Sequence, residues 1–434
     1  MQNRRGFKFW FLLSRITLSG LILSAFLLPI HTASGQAYED FPAEPILRLE
    51  TGMHTDQIRR IDIDRDQRFL ISGSGDKTVR IWELKSGRLL RTLRVPLGEG
   101  YLGRANCVAI SPDGASVAAG GYTGSKSGIN NDIYVYGRES GEIRHVIGGL
   151  PSVINHLRFS ADGRYLAATL GGANGLRVYE TTTYKQIAED KNYGADSYWA
   201  DFDAAGRLVT TCFDGHIRLY GSDLRLIQKK PAPGGKNPFS VAFSPDGRRI
   251  AVGYDDSTRV DVLSAESLEL RFSAATTDVK NGDFGIVAWS RDGRFLYAAG
   301  RYSIDGLCPI RRWSEAGRGS FTEFKPAQNT VMYLKPLSNG GLAVGSQDPL
   351  VAVLSADGKP LWQQRGEIAD FRDQRGENAI RLSQSGDTVQ FGYEQWGQRP
   401  ARFSLKTGQL ELDPAADSRL SGPLTQAPGL QITD

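Results

Sequence analysis

The chain has 434 residues, a formal net charge of +4, 50 glycines, 10% aromatic and 23% charged residues. That charged fraction is ordinary for a folded soluble protein, and the glycine content suits many tight turns between short strands more than long helices. Arg4, Arg5, Lys8 and Arg15 supply the whole excess of charge, because residues 1–37 hold no acid; the near-neutral remainder argues against a nucleic-acid binder, which needs a net basic face.

The N-terminus reads as an export signal. "MQNRRGFKFW" is a basic start, residues 16–30 (ITLSGLILSAFLLPI) are apolar, and Gly35 and Ala37 offer the small residues of a cleavage site. Cleavage after Ala37 would leave a periplasmic or extracellular protein with no membrane span. The alternative is an uncleaved anchor over residues 9–30, interrupted by Arg15. "NRRGF" also resembles a twin-arginine export signal, with Asn3 where Ser or Thr is usual.

After an extra strand at 44–50 (EPILRLE), one pattern recurs. "FSPDGRRIAVG" (243–253) is a strand, a glycine turn and a second strand. It returns as ISPDGASVAAG (110–120), FSADGRYLAAT (159–169), FDAAGRLVTTC (202–212) and WSRDGRFLYAA (289–299). Weaker copies are IDRDQRFLISG (63–73), PLSNGGLAVG (336–345) and LSQSGDTVQFG (382–392). The eight copies lie roughly 41 to 49 residues apart, a period that marks stacked repeats. Each leads into a third strand, such as VRIWEL or IRLYGS, then a polar turn and a fourth strand. Four antiparallel strands per period predict an all-β fold, a β-propeller over residues 38–413, since no blade buries both faces alone. Eight copies favour eight blades over a ring of seven with an eighth unit outside it. Residues 414–434 have the composition of a flexible tail or linker.

The chain resembles the WD-repeat β-propeller family. GSGDKTVRIWE (73–83) is its best preserved segment. His54, Ser72, Asp76 and Trp82 stand where that family has a hydrogen-bonded set, so the resemblance implies a structural role for them. Tyr136, Tyr179 and Tyr220 replace the tryptophan in later blades. Asp214 remains in one blade, and Asp255 or Asp256 in another. The family includes longer bacterial chains that continue into a caspase-like peptidase domain, so a sensor or regulatory part of such a system is one expected role.

In a propeller the second-to-third strand turns and the blade connections share one face. Here those loops are long, as in 94–106, 121–132, 188–199, 273–285, 300–311 and 392–402, whereas the opposite turns are short. Insertions confined to one face of a rigid scaffold point to binding there. An aromatic residue follows the second strand in five repeats: Tyr122, Phe213, Tyr254, Tyr302 and Tyr393. Such a ring would offer contact area to a protein or peptide, with Tyr101, Tyr198, Trp199 and Trp396 extending it. Arg301 and Arg399 would add bonds to a carboxylate.

Catalysis is not expected. Nucleophilic chemistry needs a Ser or Cys beside a His. Of five histidines, His31 lies in the signal and His54 in the structural set. His145, His156 and His216 are in no catalytic motif. Cys107, Cys212 and Cys308 form neither a disulfide framework nor a metal motif; they read as two buried strand thiols and one loop thiol. The alternating acids of IDIDRD (61–66) fit strand alternation better than calcium, so no metal is expected. LSADGKPLWQQRG (354–366) resembles the repeat of quinone-dependent dehydrogenase propellers, which carry that signature in many blades; one copy implies no cofactor. A propeller enzyme with its site in the central channel is the remaining alternative.

Overall fold

A computed structural model describes residues 52–98, 100–124, 130–366, 380–383, 385–393 and 399–412. The expected signal (1–37), the extra strand (44–50) and the tail (414–434) lie outside these.

The repeated turn explains itself chemically. In Ser160-Ala-Asp-Gly-Arg164 the Ser160 hydroxyl donates to Asp162 Oδ1 (2.6 Å) and accepts from the Tyr165 amide (2.9 Å). Asp162 Oδ1 also accepts from the Arg164 amide (3.1 Å). Gly163 takes φ +78°, a conformation glycine adopts without strain. Ser111 with Asp113, Ser244 with Asp246 and Ser290 with Asp292 make the same serine–aspartate bond. Each turn reverses the chain between a first and a second strand.

Position in the sheet then sets burial. The second and third strands, such as Leu208–Cys212 and Val260–Ser264, are buried throughout and read as apolar or small residues. The fourth strands, such as Leu226–Pro231 (LIQKKP), are largely exposed and polar or charged, which guards an open sheet edge against pairing with another chain. Among the described residues this produces eight four-stranded antiparallel sheets, each built from consecutive strands.

Seven of the eight make the ring. The expectation of eight blades is corrected: the propeller has seven. Each innermost strand packs on the next, from Ile58–Ile63 through Arg104–Ile110, Ile154–Phe159, Trp199–Phe202, Pro238–Phe243, Ile286–Trp289 and Val331–Pro336, and the last packs back on the first. The closing interface is specific. A side chain at Gly345 would meet Ile58 and Ile61, so only glycine lets blade 7 approach blade 1 so closely. Trp362 donates its indole N–H to the Leu84 carbonyl (2.8 Å), and Ser338 donates to the Gln67 side chain (2.9 Å). No gap remains for another blade. The eighth repeat does form its sheet, from Ile380–Leu382 to Leu410–Leu412, but outside the ring. Trp362 is the tryptophan of the quinone-like segment, and its role here is ring closure.

Bulges decide what lines the channel. The pairing of first with second strand slips at Arg59, Asn155 and Met332, and across Ala105–Asn106 and Phe239–Ser240. An extra residue re-aims the side chains beyond it. Arg59, Asn106, Asn155, Phe239 and Met332 consequently line the channel at its long-loop end. Gly121, opposite one bulge, has φ +154°, and a Cβ there would strike the Arg104 carbonyl.

Candidate functional site

The channel opens at two mouths separated by a plug. The Trp199 ring stacks against both His156 and Tyr333, with centroids 4.7 Å from each, and those two rings lie side by side 6.1 Å apart. The Arg60 guanidinium sits 4.7 Å over the Trp199 ring, and the Tyr333 hydroxyl bonds His156 Nε2 (3.2 Å). Burial first, and then the charges of Arg60 and Arg158, hold the His156 pKa well below the ordinary histidine value, so the imidazole is neutral. Burial lowers Arg60 to about 10, which leaves it charged at neutral pH.

The long-loop mouth is a cavity of about 260 Å³. Tyr198, Phe213 and Phe239 cluster on one wall, with centroids 4.6 to 6.2 Å apart and all three partly exposed. Asn106, Asn155 and Gln347 place amide groups around it. Arg301 bridges Asp283 and Asp255 (3.3 Å), so its charge is already matched and it joins blades 5 and 6. The Tyr198 phenol is pushed up to about 12, by burial first and then by Asp196.

The expected aromatic ring divides. Phe213 lines this mouth. Tyr101, 46% exposed, packs on the half-buried Tyr122 (5.6 Å), with Arg104 over its ring. Tyr254 is fully buried and donates to Asp261 (2.7 Å). Tyr302 is 6% exposed and packs edge-on against Phe284. These two tyrosines hold their own loops and offer no contact area. Trp199 is 5% exposed, in the plug. The side chains of Tyr393 and Arg399, and all of Trp396, lie outside the described residues. Phe239 is hidden from sequence periodicity because it sits on a bulge, at a repeat position where strand alternation points elsewhere.

His54, Ser72, Asp76 and Trp82 form a continuous relay. Trp82 Nε1–H donates to Ser72 Oγ (2.8 Å), Ser72 donates to His54 Nε2 (2.7 Å), and His54 Nδ1–H donates to Asp76 (2.9 Å). The order Ser–His–Asp is that of a hydrolase triad. Yet Ser72 and His54 have no exposed surface, and the serine oxygen is occupied by the indole. The relay joins strands and touches no substrate. In blade 4 Tyr220 donates to Asp190 (2.7 Å) and bonds Tyr193 (2.9 Å) instead.

All three cysteines are buried, and Cys308 opens a strand instead of lying in a loop. Burial pushes the Cys212 and Cys308 thiols up to about 11, which disfavours the reactive thiolate. Among the described residues no group of His, Cys, Asp or Glu is arranged to hold a metal, and no helix is long and apolar enough to cross a membrane.

Residues 46–83 and 232–260 match the WD domain, G-beta repeat family. The chain is 28% identical over 206 residues to the small ribosomal subunit protein RACK1 of Caenorhabditis elegans, covering 47% of this chain and 49% of that protein. It is 22% identical over 248 residues to periodic tryptophan protein 2 of Arabidopsis thaliana, covering 57% and 23%. With telomerase protein component 1 of Rattus norvegicus it shares 27% over 214 residues, covering 48% and 7%. The chain thus spans half or less of the length of these relatives. In its matched segments, its four-stranded blades and its blade 1 relay the chain is similar to WD40-repeat β-propellers. Propellers of this family typically act as protein-interaction scaffolds and usually carry no catalytic activity.

Proposed function

We propose that the chain is an exported scaffold that holds a peptide segment of a protein partner in its long-loop mouth. The observation that carries this is the Tyr198–Phe213–Phe239 cluster, partly exposed on the wall of a preformed cavity ringed by side-chain amides. Clustered aromatics on a rigid rim bury an apolar anchor at little entropic cost, and amides around it suit a peptide backbone. Tyr101 and Tyr122 extend the surface over blade 2. Export rests on the pattern of residues 1–37.

Selection of displayed random peptides on the full chain tests the reading. Enriched peptides should share an apolar or aromatic anchor. Phe213→Ala and Phe239→Ala should each weaken them by about tenfold, the usual loss at an aromatic hot spot. An unchanged far-ultraviolet circular dichroism spectrum would show that both variants fold. Peptides that bind the variants as tightly as the parent would move the site elsewhere.

A further inference from the structure

The opposite mouth, on the short-turn face, is a larger cavity of about 420 Å³ touched by all seven blades. Aligning the repeats on their turns shows how it is furnished. Two residues before the turn serine the chain carries Asp62, Arg158, Asp201 and Lys335 in blades 1, 3, 4 and 7, where the other blades have alanine. Just after the serine position it carries Arg65 and Arg291 in blades 1 and 6, where blades 2 to 5 have proline or alanine. All six charged residues line the cavity.

The charges do not balance. Asp62 and Asp201 are both engaged: Arg158 lies 3.6 and 3.0 Å from them, Lys335 lies 2.7 Å from Asp62, and each carboxylate also accepts an amide of the next blade in the ring. Asp203, also in the lining, is taken by Arg207 (2.7 Å). The turn acids Asp113, Asp162, Asp246 and Asp292 are bound back onto their own serines and lie outside the lining. Among the described residues the Arg65 side chain bonds the Ala161 carbonyl and no carboxylate, and the Arg291 side chain has no hydrogen bond or ion pair. Four cations therefore share two carboxylates around the mouth, with Arg158 and Lys335 half-buried and Arg65 and Arg291 exposed. Burial first, and then Arg158, lower the pKa values of both Lys335 and Arg291, against the opposing pull of Asp62. An anion would relieve that repulsion.

We propose that this mouth binds a compact oxyanion of two or more negative charges, phosphoryl or polycarboxylate, between Arg65, Arg158, Arg291 and Lys335. Arginine forks match the paired oxygens of either group, and a channel walled by protein focuses the field of clustered charges. The plug of Arg60, Trp199 and Tyr333 forms the floor and separates this site from the peptide mouth.

Calorimetric titration of the full chain with sodium pyrophosphate, and separately with citrate, in low-salt buffer tests this. Saturable binding at one site per chain is expected. Pyrophosphate alone would mark a phosphoryl site, and binding of both would mark a general multivalent oxyanion site. The double change Arg65→Gln with Arg291→Gln should weaken binding by about tenfold or more, the order of loss expected when charge-assisted hydrogen bonds are removed. Arg225→Gln, at an exposed arginine outside the lining, should bind as the parent does. Arg291→Ala provides a second variant that folds, because alanine already stands at that turn position in blades 3 and 4. No saturable binding of either anion, or equal binding by the parent and both mouth variants, would overturn the proposal.

Discussion

Ser72 joins two buried side chains, accepting from Trp82 and donating to His54. Removing its hydroxyl strands an indole N–H and an imidazole nitrogen together. Each unsatisfied buried polar group costs roughly 1–3 kcal/mol. Ser72→Ala should therefore lower stability by about 2–4 kcal/mol, read as a reduced midpoint in urea. Asp76, at the end of the relay, titrates. Burial opposes its charge, but His54, Thr78 and the Thr55 amide outweigh burial and lower its pKa from 3.8 to about 2. The unfolded chain thus binds this proton more readily than the folded one. The stabilisation is complete above about pH 4 and is lost as pH falls toward 2. Its size is about 2 kcal/mol. In Asp76→Asn the difference between the unfolding free energies measured in urea at pH 5 and pH 2 should shrink by about that amount. The four residues were legible in the sequence because the set repeats a family spacing. The burial of Tyr254 and Tyr302 was not, because spacing along a chain does not say which loop folds over a ring.

Among the elements, the turns and the bulges differ in how openly the sequence declares them. A Ser-x-Asp-Gly turn is local, since every bond in it lies within five residues. A bulge is decided by the partner strand, so the residues it re-aims, Phe239 among them, are invisible to period-two alternation. Gly121 tests the bulge of blade 2. Gly121→Val should destabilise the protein by more than about 2 kcal/mol, because it combines a strained φ with a clash against backbone. A crystal structure of a stable Gly121→Val protein with an unaltered bulge would refute that reading. The closing interface makes a similar prediction. Trp362→Ala removes a partly buried indole and its bond to Leu84, and should cost about 3 kcal/mol. Limited proteolysis should then cut within blade 1 or blade 7, whose shared interface is loosened, sooner than in the parent.

At the scale of the whole molecule, a ring closed by blade 7 has no need of the eighth sheet. A chain ending at Gly366 should lose only the strand signal of the eighth sheet by circular dichroism and unfold within a few degrees of the parent. A truncated chain that aggregates or loses its cooperative transition would show that the eighth sheet supports the ring. The sequence by itself determined the repeat, the four strands of each unit, the chemistry of the turns and the face that carries the long loops. Each of these is written in patterns of two to about fifty residues. Only the tertiary structure decided how many units share the ring, which aromatics remain exposed, and that Arg65, Arg158, Arg291 and Lys335 meet in one mouth. Ring size depends on whether the first and last blades fit face to face, a match between residues as distant as Leu84 and Trp362. The charged mouth depends on ring closure in turn, because residues one repeat or several apart become neighbours only around a common axis.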